Sequence, residues 1–165
     1  MKAYRSPHTP TLNKMAEKHT SHLDHVLPFN TLCIYTDGAS RGNPGEAGAG
    51  ILIANERGAV IKKVTRYLGT TTNNVAEYLA LIIGLKEALK LKGEVIHLFS
   101  DSELMVRQIK GIYKVRDAKM RVLFQEVKKL LSQFIHYEIS CIERKRNKEA
   151  DRLANRAIDE YIGDS

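Results

Sequence analysis

The spacing of apolar and polar positions changes along the chain, and each change predicts a different kind of secondary structure. Apolar runs separated by glycine, asparagine and proline come first and predict strands at residues 32–36, 47–54 and 60–68. Short turns at residues 42–45 and 55–58 join these strands. We therefore expect the three strands to form an antiparallel meander.

Helices alternate with strands in the second part of the chain. Apolar residues recur every three or four positions over residues 75–89, which predicts a helix that Gly93 ends. The remaining pattern predicts, in order, a strand at residues 95–99, helices at 104–109 and 120–131, a strand at 135–142, and a helix that begins at Asn147. A meander followed by this alternation predicts an α/β fold of three layers, in which helices flank a five-stranded mixed sheet whose first three strands are antiparallel.

Residues 1–30 differ in composition from the rest of the chain. They contain three of the four prolines and four of the six histidines, and their apolar positions have the spacing of one short amphipathic helix. A length of 165 residues suits one domain with a tail. We expect an N-terminal arm, residues 1–30, that is flexible or partly helical, and a single domain at residues 31–165.

Charge and apolar content narrow the class of protein. Lys and Arg number 26 against 19 Asp and Glu, and the net charge of +7 favours a polyanionic partner, nucleic acid first, with solubility as the plainer explanation. The most apolar stretch, residues 79–85, is far shorter than the roughly 20 residues that cross a bilayer. Residues 1–30 lack the apolar segment of a secretory signal, so we expect a cytoplasmic protein. Cys33 and Cys141 lie within apolar runs, which predicts buried thiols rather than a disulfide framework or a zinc site.

Four carboxylates lie where predicted elements begin or end. Asp37 ends or nearly ends the first strand, Asp101 closes the fourth, and Glu77 and Asp151 lie in the first turns of two helices. Because ligand sites gather at the carboxyl ends of adjacent parallel strands, we expect Asp37 and Asp101 side by side. Clustered carboxylates repel unless a cation neutralises them, and oxygen ligands suit Mg²⁺ or Mn²⁺. The four acids therefore predict two divalent ions and phosphoryl-transfer chemistry.

Each acid also has a purely structural interpretation. Asn74 and Glu77 have the spacing of a capping box, Asp37 with Gly38 has the composition of a turn, and Asp151 near a helix start stabilises the helix dipole. No single acid therefore establishes a site.

The strings around these acids resemble those of type I ribonuclease H. They are YTDGASRGNPG at residues 35–45, TNNVAEY at 72–78, SDS at 100–102 and NKEADRLA at 147–154. The resemblance covers about residues 31–162 and implies hydrolysis of the RNA strand of an RNA/DNA hybrid, which leaves 5′-phosphate and 3′-hydroxyl ends. It also implies that Asp37, Glu77, Asp101 and Asp151 are the metal-binding catalytic acids.

The same resemblance implies a set of substrate-binding residues. Contacts to the RNA 2′-hydroxyl would come from Ser40, Gly42 and Asn43, with Asn73 and Asn74 at the border between the strands, since only that hydroxyl marks RNA at a given sugar. Thr72 and Asn74 match the pocket for a phosphate of the DNA strand, because a helix N-terminus binds anions well. N-capping is the simpler role for these last two residues, and both roles are compatible.

Two departures from the larger family members place the chain in a compact branch. A loop histidine before the last acid is absent, and Arg144, with Arg146 as the rival, is the candidate for a transition-state or product-side charge in that loop. The plainer alternative is that the basic residues at 144–146 only contact phosphates. Residues 112–117 run almost directly into the next helix, so the basic handle that grips the hybrid in larger members is also absent. The alternatives are a DNA nuclease or integrase-like enzyme on the same fold, and a catalytically silent hybrid-binding module. We expect a monomer whose partner is an RNA/DNA hybrid.

Overall fold

A computed structural model of the protein describes residues 29–163, so nearly all of the predicted arm lies outside the described residues. The elements in chain order are β1 (Thr31–Gly42), β2 (Gly45–Asn55), β3 (Val60–Thr71), α1 (Asn73–Lys90), β4 (Val95–Ser100), α2 (Glu103–Ile109), α3 (Ala118–Leu131), β5 (His136–Cys141) and α4 (Lys148–Gly163). A single 3₁₀ turn, Arg144–Arg146, precedes α4. No additional helix separates α2 from α3, as the short link between them predicts. None of the helices in the described part is long and apolar enough to span a bilayer.

The five strands form one mixed sheet in the order β3-β2-β1-β4-β5. The β1–β2 and β2–β3 pairs are antiparallel, whereas β4 is parallel to both of its neighbours. The predicted fold class, a meander followed by parallel strands, is therefore confirmed. Helix α1 packs on one face of the sheet and carries α3, and α4 packs on the other face over β1, β2 and β3.

Strand β1 is longer than the apolar pattern predicts, and the reason lies in its two different neighbours. Its parallel pairing with β4 ends where Tyr35 faces Phe99, but its antiparallel pairing with β2 continues to Gly42, which faces Gly45. Asp37 is therefore not the end of the strand. It lies just beyond the last residue pair between β1 and β4. Ligand-binding crevices form at this place, outside the carboxyl ends of parallel strands.

The core that fixes these layers lies mainly between the sheet and α1. Ile34 and Ile51 of the sheet and Leu81 and Leu85 of α1 are fully or almost fully buried. Each such side chain contributes roughly 1.5–3 kcal/mol when it leaves water. The resulting rigid contact between sheet and helix determines where polar residues at the ends of these elements are held.

The two cysteines are free. The apolar runs around them predict that both thiols are buried, and this prediction is wrong. Cys33 is half-buried on β1 and Cys141 is exposed at the end of β5. Strand β5 is an edge strand in which Ile139 is the buried residue, so apolar neighbours in sequence do not bury Cys141.

Candidate active site

Three of the predicted acids converge at the carboxyl end of the parallel strands. Asp37, Glu77 and Asp101 offer carboxylate oxygens that all lie within 4.8 Å of one another. Asp151 lines the same cleft and interacts electrostatically with Asp37. The structure thus brings the four acids together.

Each layer of the fold contributes to this cluster. Asp37 and Asp101 come from the sheet and the residue that follows it, Glu77 comes from α1 on one face, and Asp151 comes from α4 on the other. Close approach of α1 requires glycine at position 38, because a Cβ there would overlap the backbone of Ala76 and Glu77. The Gly38 N–H also donates to the Glu77 carboxylate.

Glycine has the same role on the other face of the sheet. A Cβ on Gly50, which faces Asp37 across the β1–β2 pair, would overlap the carbonyl oxygen of Ala150. Helix α4 can therefore approach β1 and β2 closely enough for Asp151 to reach Asp37.

The cluster holds negative charge that the described residues neutralise poorly. Asp37 and Glu77 are each only 5% exposed. Burial first, and then the charges of Glu77 and Asp101, raise the pKa of Asp37 far above its ordinary value. Burial, followed by the charge of Asp101, raises the pKa of Glu77 to about 8.

Glu77 is not a capping residue. The cap of α1 is Thr72, whose Oγ1 accepts a hydrogen bond from the Val75 N–H at 3.3 Å. The Glu77 carboxylate instead faces the sheet, and among the described residues its Oε2 has no hydrogen-bond partner. The capping-box interpretation is therefore wrong for Glu77, and the N-cap interpretation is confirmed for Thr72.

These features fit a divalent cation. The donor set consists of carboxylate oxygens, and one of them is buried without a partner, which costs free energy unless a cation or a donor arrives. Hard, oxygen-only ligand sets suit Mg²⁺ and Mn²⁺ better than zinc. The buried acidic cluster therefore points to the use of a divalent metal.

The two arginine candidates lie in different surroundings. Arg144 lines the cleft, and its charge partly offsets the rise in the pKa of Glu77. Arg146 ends the same 3₁₀ turn but does not line the cleft. Geometry therefore favours Arg144 over Arg146 as the cation that faces the acids.

The predicted substrate-binding residues form a second group beside the acids. The Ser40 hydroxyl contacts the carbonyl oxygen of Gly42 and lies 2.8 Å from that of Thr71. Asn43, in the β1–β2 turn, accepts a hydrogen bond from the Asn73 N–H at 3.1 Å. The turn and the start of α1 thus form one continuous surface.

Three of the predicted substrate residues lie toward the open side of this surface. Gly42 takes a positive φ of 111° at the start of the turn. Asn73 and Asn74 are exposed in the first turn of α1, and Ser40 and Asn73 line the acid cleft itself.

The structure adds one cleft residue that the motifs did not single out. Asn155 lines the cleft and donates from Nδ2 to the carboxylate of Asp151 at 3.2 Å. Its position four residues after Asp151 on α4 is the sequence feature that could have revealed it, since residues i and i+4 share a helix face.

Comparisons with known proteins agree with this geometry. A sequence model described as reverse transcriptase-like matches residues 35–157. A protein named ribonuclease H from Chlorobaculum parvum is 36% identical over an alignment 145 residues long that covers 79% of this chain and 97% of that protein. The chain belongs to the ribonuclease H family.

Solved structures of ribonuclease H proteins share the fold. The crystal structure of RNase H1 from Halobacterium salinarum matches with a TM-score of 0.78 at 36% identity, over 79% of this chain and 98% of that one. LC11-RNase H1 in complex with an RNA/DNA hybrid matches with a TM-score of 0.76 at 39% identity, over 79% and 99% of the two chains. A ribonuclease H fold at this level of identity supports the sheet order and helix placement described above.

Some relatives of this ribonuclease H family member are longer than the matched region. A bifunctional protein of Mycobacterium tuberculosis is 41% identical over 127 residues, but these are 76% of this chain and only 35% of that protein. The chain therefore spans about a third of the length of this relative.

Proposed function

We propose that this protein hydrolyses the RNA strand of RNA/DNA hybrids and leaves 5′-phosphate and 3′-hydroxyl ends. The observation that carries the proposal is the convergence of four carboxylates in an open cleft beside the β1–β2 turn and the start of α1. One relative of known structure is a ribonuclease H1 in complex with an RNA/DNA hybrid, which supports the same class of substrate. Contacts to backbone and sugar, rather than to base edges, predict little preference for base sequence.

Asp37, Glu77, Asp101 and Asp151 would hold two divalent ions, Mg²⁺ or Mn²⁺. Bound there, such ions supply a nucleophilic water at neutral pH and stabilise the charge of the leaving oxygen. The protein's part is to hold the four carboxyl groups close together in a cleft that accepts the scissile phosphate.

Selection of RNA would depend on the surface between the β1–β2 turn and α1. Asn73 and Asn74 present side-chain amides that can both donate to and accept from a 2′-hydroxyl. Gly42 carries no Cβ, so the backbone at the turn can approach the minor groove closely. The exposed N-terminus of α1, capped by Thr72, would bind a phosphate of the DNA strand.

Arg144 would supply a transition-state or product-side charge. Its guanidinium faces the cleft from the 3₁₀ turn before α4, on the side of Glu77. A permanent positive charge at this place would stabilise the negative charge that develops on the phosphate.

A cleavage assay with four labelled substrates tests the proposal. The RNA strand is offered as RNA/DNA hybrid, RNA duplex and single strand, and a DNA duplex serves as the fourth substrate, each with Mg²⁺ or Mn²⁺. We expect cleavage mainly of the hybrid, with 5′-phosphate ends, and loss of cleavage in Asp101→Asn. Cleavage of the DNA duplex instead would indicate a DNA nuclease on the same fold. Binding of the hybrid without any cleavage would indicate a silent binding module.

A further inference from the structure

Asn147 connects the two elements that carry Asp37 and Asp151. Its side chain is buried, with 1% exposure, at the residue just before α4. The Asn147 Nδ2 donates to the carbonyl oxygen of Thr36 at 2.9 Å, and Thr36 directly precedes Asp37. The carbonyl oxygen of Asn147 accepts from the Asp151 N–H at 3.1 Å. One residue is therefore bonded to the backbone next to one acid and to the backbone of another.

This use of the side chain differs from that at the starts of the other helices. Thr72, Ser102 and Asp117 precede α1, α2 and α3, and each accepts a hydrogen bond from a backbone N–H of its own helix. Asn147 has the equivalent position before α4, but its Oδ1 accepts no hydrogen bond from any residue between 29 and 163. Its amide is directed to strand β1 instead, so helix capping does not explain it.

The bond to Thr36 lies where β1 lacks its parallel partner. Pairing with β4 stops at Tyr35, and the Asn147 amide bonds the carbonyl one residue further on. Asp37 and Asp151 bring like charges together at this place, and like charges in contact repel. A bond between β1 and the start of α4 opposes that repulsion.

We propose that Asn147 is a positioning residue that holds the carboxylates of Asp37 and Asp151 at the spacing that cation binding requires. The inference rests on the proposed function, because it assumes that the four acids bind a divalent cation. Residues that orient metal ligands typically change metal affinity by about 10- to 100-fold when they are replaced.

The test compares two asparagines with the same chemistry at opposite ends of the sheet. Asn30 donates from Nδ2 to the carbonyl oxygens of Leu91 and Lys92 at 3.0 and 2.8 Å, just before β1 begins and so at the end of that strand opposite the acids. Asn147→Ser introduces a hydroxyl that can cap α4 but is too short to replace the amide at Thr36. Asn30→Ser removes the matched bond as the control.

The measurement is the affinity for Mn²⁺ of the full-length protein without nucleic acid, by isothermal titration calorimetry. We expect Asn147→Ser to bind Mn²⁺ about 10- to 100-fold more weakly, and Asn30→Ser to change the affinity by less than about threefold. Equal losses in the two variants would overturn the inference, because they would show only a general loss of structure.

A double variant separates positioning from support of the fold. In an Asp151→Asn background, Asn147→Ser should weaken Mn²⁺ binding by less than about threefold further, since no Asp151 carboxylate is left whose spacing from Asp37 could matter. Independent, multiplying losses would overturn the inference. If Asn147→Ser alone does not fold, relief of the repulsion should let the double variant fold, and an unfolded double variant would also count against it.

The Mn²⁺ measurement stands apart from the cleavage assay. Unchanged affinity in Asn147→Ser together with normal hybrid cleavage by the wild type would overturn the inference and leave the proposed function intact. Weakened affinity in that variant, together with no cleavage of any hybrid by the wild type, would support the inference and contradict the proposed function.

Discussion

Helix α1 carries two equally buried carboxylates in opposite electrostatic surroundings. Glu87 is 4% exposed, and its two oxygens lie 2.6 and 3.3 Å from the ammonium groups of Lys62 and Lys90. The bond to Lys62 lowers the pKa of Glu87. Glu77 is 5% exposed, but its nearest charged neighbours are acids, and its pKa is raised to about 8.

The difference separates a carboxylate that stabilises the fold from one that is kept for binding. A buried charge costs free energy unless a counter-charge and hydrogen bonds compensate it. Near the C-terminal end of α1, Lys62 and Lys90 supply that counter-charge to Glu87. Near the N-terminal end, Glu77 Oε2 has no protein partner among the described residues. A bound cation would be the partner of this carboxylate. Without the cation, the clustered acids destabilise the folded protein, because a site that is open for binding leaves them uncompensated.

The largest expected effect comes from neutralising Glu77, and the same substitution at Glu87 is the control. Glu77→Gln should lower kcat/KM for hybrid cleavage by about 10³-fold or more, because loss of a metal ligand removes several kcal/mol of transition-state stabilisation and each 1.4 kcal/mol is about tenfold. Glu87→Gln should leave kcat/KM within about threefold of the wild type. Steady-state kinetics on a labelled hybrid measure both values.

Unfolding of the same variants should give the opposite ranking. In EDTA at pH 8, Glu77→Gln should be at least as stable as the wild type, because it removes a buried carboxyl group whose ionised form has no counter-charge, whereas Glu87→Gln should be less stable. A Glu77→Gln protein that is inactive and also strongly destabilised would contradict the comparison.

The second effect concerns the cation that does face Glu77. Arg144→Ala should lower kcat by about 10- to 100-fold, because it removes the charge placed to stabilise the developing negative charge on the phosphate. Arg146→Ala is the matched control from the same 3₁₀ turn, and we expect less than threefold change. Larger loss in Arg146→Ala than in Arg144→Ala would reverse the assignment that the cleft geometry supports.

Sequence reasoning predicted the acid cluster partly through topology and partly through the resemblance to type I ribonuclease H. Parallel pairing of β1 with β4 brings Asp37 and Asp101 to one edge, as general rules of sheet architecture predict. The resemblance, rather than helical periodicity, is what assigned Glu77 and Asp151 to the same site.

What the sequence did not predict depends on which surface a side chain meets. The spacing of Asn74 and Glu77 fits a capping box, but the orientation of Glu77 follows from the close contact at Gly38, a tertiary feature. Likewise, Asn147 is a residue type that commonly caps helices and it precedes α4. Its amide nevertheless donates to the carbonyl oxygen of Thr36 on β1, more than a hundred residues away in sequence. The orientation of these two side chains depends on contacts between different helices and strands. Local periodicity carries no information about such contacts.

The third effect is a dependence of stability on pH that the two glutamates should drive in opposite directions. Between pH 4.5 and about 8, folded Glu77 holds a proton that the unfolded chain has lost, so the metal-free protein should lose stability as pH rises. One such proton gives a slope of at most about 1.4 kcal/mol per pH unit. The lowered pKa of Glu87 acts with the opposite sign, because its contribution is lost only as pH falls below its ordinary range near 4.5.

Urea unfolding in EDTA at several pH values between 5 and 8 measures this slope. Saturating Mg²⁺ should reduce it, since the cation favours the ionised carboxylates, and Glu77→Gln should reduce it without metal, leaving the part that comes from Asp37. A metal-free wild type that becomes more stable from pH 5 to pH 8 would show that the acids are not held in the way described.

The smallest expected effect tests the compensated end of α1. Lys62→Met removes the ammonium 2.6 Å from Glu87 and leaves only Lys90, so we expect a loss of about 1 kcal/mol in the free energy of unfolding at pH 7. The adjacent Lys63 pairs with Glu149 at 2.9 Å, but that carboxylate is 32% exposed, so Lys63→Met should cost less than about 0.5 kcal/mol. Hybrid cleavage should be unchanged in both variants, because neither lysine lines the acid cleft. Urea unfolding compares the two losses, and equal costs would mean that burial of the carboxylate does not decide how much its counter-charge contributes.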